Sequence, residues 1–205
     1  MRKKLKVTFN APVTLTFTGI CLAALILNYI TGGLTNDLFF SVYRSSLLSP
    51  FTYIRFIGHV FGHADFDHFI SNIMTLLIIA PLLEEKYGSA NIIFVIFTTA
   101  LSTGVLSFLL FPRIQLLGAS GVVFAFILLA SITDVRDGEI PMTFILVAAI
   151  YFGQQVISGI FIDDNISNFG HILGGACGSV IGFRFNKGSG SSGSDIQPTE
   201  HYTYY

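Results

Sequence analysis

Charge is scarce in this 205-residue chain: 11% of its residues are Asp, Glu, Lys or Arg, against about 25% in a soluble globular domain. With 52% hydrophobic residues and a mean hydropathy of +0.71, that scarcity excludes an ordinary soluble domain and indicates a membrane protein. Cysteine is also sparse. Cys21 and Cys177 both fall in apolar stretches, where a thiol behaves as a small apolar group, which argues against a disulfide framework. No base at matching depth accompanies Cys21 to make it a nucleophile. The chain has no 20–50-residue repeat, no glycine-rich phosphate loop and no basic, aromatic-interleaved strip; with a net charge of −1, nothing points to nucleic acid. Few apolar runs exceed about 18 residues without a small or polar interruption, so spans are read from apolar density between charged clusters.

That reading predicts an all-α membrane protein with six helices, at roughly 11–30, 69–84, 90–111, 120–133, 140–160 and 169–184. An even number of spans puts both termini on one side. With the N-terminal MRKKLK in the cytoplasm, Arg2, Lys3, Lys4, Lys6, Lys86, Arg136, Arg184 and Lys187 lie inside and Arg44, Arg55 and Arg113 outside, as the positive-inside rule requires. A cleaved secretory signal is the alternative for the first span, but the run is long for one and no small-x-small cleavage site clearly follows it. Between the first two spans, residues 31–60 carry DLFFSVY and FTYIRF, aromatic stretches suited to the membrane interface. Residues 1–187 are expected to form the membrane domain. Residues 188–205, GSGSSGSDIQPTEHYTYY, resemble a flexible linker with an appended peptide.

Polar residues inside apolar segments are the functional candidates. In HVFGHADFDHFISNIMT, His68 and Asn72 stand four apart on one helix face, with Ser71 and Thr75 beside them. The plainer alternative is hydrogen bonding between helices. His59 and His63 have metal-ligand spacing, but the glutamate of H-E-x-x-H is missing; packing in the loop is the better reading, with no metal expected.

Ser120, in QLLGASGVVFAF, opens the fourth span. About 14 residues at ~1.5 Å each give ~21 Å, short of a ~30 Å hydrocarbon core, so this helix starts below the outer surface. Its first-turn N–H groups and dipole then favour negative charge developing beside the serine. A capping serine framed by Gly118 and Gly121 is the commoner reading, and the lipase elbow G-x-S-x-G is absent because position 122 is Val. The sixth span supplies a base. In NFGHILGGACGSVIGF, Gly170, Gly174, Gly178 and Gly182 recur every four residues as a ridge, and His171 stands beside it. If the fourth helix packs on the ridge through Gly121 and Ala125, the His171 Nε2 can reach Ser120 Oγ.

From about Phe51 to Gly182 these motifs resemble the rhomboid intramembrane serine proteases: HVFGHADFDHFISN, EEKYG, GASG and GHILGGACG, in that order. The resemblance implies a six-transmembrane-helix bundle with a long interfacial first loop and a short, sunken fourth helix, with Ser120 as nucleophile and His171 as general base, a dyad without a carboxylate. It implies His68 and Asn72 as oxyanion donors, joined by the Ser120 N–H and that of Gly118 or Ala119. Arg55 and Glu85 resemble fold-stabilising positions. Phe124 stands where the family often has Tyr supporting the histidine, and Gly170 where it often has Ala. The family also implies transmembrane protein substrates in a lipid bilayer and no cofactor. The aromatic first loop and the fifth helix, with Phe152, Gln154 and Gln155, are candidates for lipid contact or substrate gating, although an aromatic stripe in a membrane helix is more often packing. Two rival classes are a non-catalytic rhomboid-like binder of transmembrane helices, against which the intact Ser120/His171 pair argues, and a small transporter, for which the expected internal repeat is missing.

Overall fold

The computed structural model describes residues 8–133, 139–161 and 165–189, and these are helical throughout apart from loops and one isolated antiparallel bridge. Seven α-helices follow in order: α1 (Pro12–Ile30), α2 (Pro50–Gly58), α3 (Phe66–Tyr87), α4 (Ser89–Leu110), α5 (Ser120–Ser131), α6 (Met142–Phe161) and α7 (Asn165–Ser189). Each of the six stretches read as apolar is helical. Three of the helices, α1, α3 and α4, are long and apolar enough to cross a membrane, which makes this a multi-pass membrane protein. Of the C-terminal Gly/Ser-rich tail, Gly188 and Ser189 still belong to α7, and 190–205 lie outside the described residues, as do Arg2 to Lys6 and Arg136.

Helical phase decides what each helix buries. On α1, Thr14, Phe17, Cys21, Ala24, Leu25 and Asn28 recur every three or four residues on the inner face. On α3 the corresponding stripe is Phe69, Asn72, Ile73, Leu76, Ala80, Leu83 and Glu84. The structural carboxylate at the end of this helix is therefore Glu84 and not Glu85, which is exposed one position out of phase. Glu84 accepts hydrogen bonds from the Val13 N–H (2.8 Å), the Thr14 N–H (2.9 Å) and the Thr14 hydroxyl (2.8 Å), and so satisfies the free amides that open α1. The Ser89 hydroxyl, at the start of α4, donates to the same carboxylate at 2.8 Å. One side chain thus ties three helices together at one end.

The short α5 sits at the centre, touching α3, α4, α6 and α7. Its 12 residues, about 18 Å long, are apolar nearly all round, and Val122, Val123, Ala125, Phe126, Leu128 and Leu129 are buried. The glycine ridge of α7 packs on it directly. A Cβ at Gly174 would overlap the Gly121 carbonyl, and one at Gly178 the Ala125 carbonyl. Gly121 and Ala125 are the two small contacts expected from the sequence.

The first loop has more structure than the sequence predicted. A π-helical turn (Asn36–Phe40), α2 and a 3-10 turn (His59–Phe61) interrupt it. Its centre is Arg55, only 3% exposed, which donates to Ser45 Oγ (2.6 Å), Thr52 Oγ1 (3.2 Å) and Tyr43 Oη (3.3 Å) and lies 4.3 Å from the centroid of the Tyr43 ring. The structural role expected of Arg55 is the closing of this loop.

Candidate active site

The loop that leads into α5 is held from the first loop at successive points. Val42 and Leu116 exchange two backbone hydrogen bonds of 2.9 Å, the Gly118 N–H donates to the His59 carbonyl at 2.9 Å, and the Ala119 N–H meets Nε2 of His63 at 3.5 Å. Gly118 has φ +130°, a conformation open to glycine and strained for other residues. This turn ends the approach to Ser120 and starts α5 at that residue.

Ser120 opens onto a cavity of about 330 Å³, and four elements contribute to its wall. From α3 come His68 and Asn72, with Ser71 and Thr75 on the same face; α5 supplies Ser120 and Phe124, α6 supplies Tyr151, and α7 supplies His171. The residues singled out in the sequence as a possible dyad and its anion-stabilising partners therefore line one space. Such a cavity combines an apolar floor, Val123 and Ile127, with a small set of convergent polar groups, the usual composition of a ligand site.

Local structure orients each of these side chains. Asp65 caps α3 by accepting the His68 N–H at 2.7 Å, which fixes the first turn that carries the imidazole. The Asn72 side-chain amide donates one N–H to the His68 carbonyl at 2.9 Å and keeps a second. The His68 ring lies against the bare Cα of Gly118: a Cβ built there would come within 2.8 Å of Cε1 and Nε2. Phe124 stacks on His171 with ring centroids 4.3 Å apart and planes 6° from parallel, so the phenyl ring keeps the supporting contact although it has no hydroxyl. Tyr151 of α6 in turn packs edge-on against Phe124 at 5.1 Å.

One sequence expectation changes. The Gly118 N–H is already committed to the His59 carbonyl, and that of Ala119 faces His63, so both amides point toward the first loop. The place of Gly118 in the site is conformational: it makes the turn and seats His68. On α6 the cavity residue is Tyr151. Phe152 instead packs on α7 near Gly175, Gln154 is exposed, and the Gln155 side chain lies outside what the structure describes. Tyr151 was legible only as one aromatic among several on that helix.

His59 and His63 are fully buried packing residues. Burial pushes both imidazoles down to about 4, against a weaker opposing pull from backbone carbonyls, so both are neutral near pH 7. Among the described residues no group of three His, Cys, Asp or Glu side chains is arranged to hold a metal ion.

The sequence pattern of the Rhomboid domain matches residues 50–187, about two-thirds of the chain, a stretch that begins with α2 and includes every cavity residue. No curated protein sequence matches.

Proposed function

The chain belongs to the rhomboid family, and on that premise we propose that it is an intramembrane serine protease that hydrolyses peptide bonds in or near transmembrane segments of other membrane proteins. The observation that supports this most directly is the single cavity shared by Ser120, His171, His68 and Asn72, with Phe124 stacked beneath the imidazole. In the same reading the membrane domain is 1–187, all six of the longer or central helices (α1 and α3 to α7) are membrane segments, and both termini are cytoplasmic, with eight of the eleven Lys and Arg residues on that side.

The chemistry follows from the placement. A substrate helix hides its carbonyls in its own hydrogen bonds, so it must unwind locally before a peptide bond can enter the cavity. His171 takes the proton as Ser120 Oγ attacks the carbonyl carbon, and the new oxyanion accepts hydrogen bonds from His68, Asn72 and the Ser120 N–H. His171 passes its proton to the leaving amine as the acyl-enzyme forms. Water, deprotonated by the same imidazole, then releases the acyl group and regenerates Ser120. The sunken start of α5 keeps these steps beneath the membrane surface, and the helix N-terminus adds its dipole to the oxyanion site. No cofactor takes part, and the partners are the substrate and the lipid bilayer.

The test is fluorophosphonate labelling of the detergent-solubilised chain. The protease reading expects labelling that vanishes in Ser120→Ala and falls steeply in His171→Ala, with cleavage of a transmembrane reporter lost in both. A folded chain that neither labels nor cleaves would leave the family's other role, binding of transmembrane helices without hydrolysis.

A further inference from the structure

His63 takes no part in the proton transfers just described, yet its position touches both halves of the site. The ring is 0% exposed. Its Nδ1 faces the Phe61 carbonyl at 3.2 Å, and a carbonyl can only accept, so Nδ1 carries the proton. That leaves Nε2 as an acceptor, and the group in front of it is the Ala119 N–H at 3.5 Å. The His63 backbone is itself fixed: its carbonyl accepts from the Asn36 side-chain amide at 3.0 Å, from within the π-helical turn. On its other side the ring meets His68 edge-on, with centroids 5.1 Å apart, and Phe69 at 5.5 Å.

We propose that His63 is a positioning residue for the proposed protease reaction: its Nε2 holds the amide immediately before Ser120, while its ring backs the imidazole of His68. One buried side chain would then set the nucleophile and an oxyanion donor relative to each other. It also accounts for the direction of the turn. With the Gly118 N–H on the His59 carbonyl and the Ala119 N–H on His63, two successive amides face the first loop, and the next amide along, that of Ser120 at the first position of α5, is the one the proposed reaction uses. Protonation at Nε2 would replace the acceptor by a donor opposite an N–H; burial, which pushes this histidine down to about 4, keeps that from happening near neutral pH.

The inference rests on the protease reading, and two side chains of matched chemistry test it. Gln at position 63 can place its oxygen near Nε2 and accept the Ala119 N–H, whereas Asn can replace only the Nδ1–H bond to Phe61. In full-length protein in proteoliposomes, with rates expressed per folded molecule, His63→Asn is expected to lower kcat about 10- to 100-fold and leave KM within about threefold, the scale of a small misplacement of reacting groups. His63→Gln is expected to recover kcat to within a few-fold of wild type. Ala119→Pro keeps a φ near −73°, which proline adopts, but replaces the N–H by a ring Cδ aimed at Nε2, and is expected to lower both kcat and the second-order rate of fluorophosphonate labelling at least as far as His63→Asn does. Equal activity of the Asn and Gln variants, a loss carried by KM, or a fully active Ala119→Pro variant overturns the positioning role while wild type still labels. A wild-type chain that neither labels nor cleaves defeats the protease reading, and this inference falls with it.

Discussion

Glycines on α7 and on α6 have opposite surroundings, although both helices border the same cavity. A Cβ at Gly174 or Gly178 of α7 would run into the backbone of α5, whereas one at Gly153 of α6 meets nothing within 4 Å. At Gly174 and Gly178 the helix that carries Ser120 and the helix that carries His171 are thus joined backbone to backbone, with no side chain between them at those two points. Among the described side chains of α6, three rings make packing contacts: Tyr151 on Phe124, Phe144 on Phe183, and Phe152 near Gly175. Extra volume against a ring can be met by a change of side-chain rotamer, whereas extra volume between a carbonyl and a glycine Cα can be met only by moving backbone. The fixed relation is the one the proposed dyad needs, and the adjustable one borders the space a substrate would enter.

The strongest way to break this contrast is to add volume to each seam. Gly174→Leu must place four carbon atoms where the first already overlaps a carbonyl, and it is expected to abolish folding, read as loss of the thermal transition in detergent. Gly174→Ala and Gly178→Ala are each expected to cost about 1–3 kcal/mol and to reduce fluorophosphonate labelling of the molecules that remain folded. Gly153→Ala, on the open helix, is expected to gain up to about 1 kcal/mol from helix propensity with activity unchanged. If the α6 and α7 substitutions behave alike, the α5–α7 seam is not what holds the two helices in register.

Acid extends the comparison to the first loop, which fixes the entrance to α5 from outside the helix bundle. The pKa values of His59 and His63 are about 4 in the folded chain and near 6.5 when unfolded. Between those values the unfolded chain binds more protons, so stability rises with pH there. The contribution is complete above about pH 6.5 and is lost as pH falls toward 4, up to about 3 kcal/mol for each histidine. Unfolding midpoints measured from pH 7 down to 4 are expected to drop accordingly, and His63→Gln is expected to remove about half of that dependence. A flat profile would mean that these rings are hydrated and the loop is loosely seated.

At the opposite end of the bundle the same logic separates adjacent carboxylates. Glu84→Ala leaves the Val13 and Thr14 amides unpaired in a buried setting, at about 1–3 kcal/mol, whereas Glu85→Ala on the exposed face is expected to stay within about 0.5 kcal/mol. Equal costs would refute the assignment of Glu84 as the tie between α1, α3 and α4.

These two glutamates also mark where the sequence stops being legible. The four-residue glycine period announced a backbone contact, and its partners Gly121 and Ala125 could be named because only small residues fit such a contact. The common face of His68 and Asn72 followed from helical spacing. Choosing Glu84 over Glu85 required the phase of α3 to within one residue, and a polar helix end gives no apolar stripe from which to read it. The π-helical turn and α2 were hidden for a related reason: residues 31–60 mix aromatics with turn formers, and their helicity depends on contacts such as the Phe39 and Phe40 carbonyls against Gly58 and Gly62. The commitment of the Gly118 and Ala119 amides belongs to the same class, because it depends on a loop some sixty residues away in sequence.

The finest test of the fixed and adjustable walls is Phe124, which belongs to both. One face of its ring is stacked on His171 and its surroundings include the edge of Tyr151, so it passes the order of α7 to α6 across the cavity. Phe124→Leu keeps the apolar volume and removes the stacking, worth about 0.5–1.5 kcal/mol, which corresponds to about a two- to tenfold fall in kcat if the ring's task is to hold the imidazole. Phe124→Tyr keeps the stack and is expected to match wild type within about twofold. Tyr151→Phe preserves the ring that Phe124 packs against and is expected to be nearly silent, whereas Tyr151→Ala frees that contact without touching His171. If Tyr151→Ala lowers kcat as far as Phe124→Leu does, the orientation of the histidine depends on α6 as well as on the glycine seam, and the division between the two walls gives way to one continuous aromatic support.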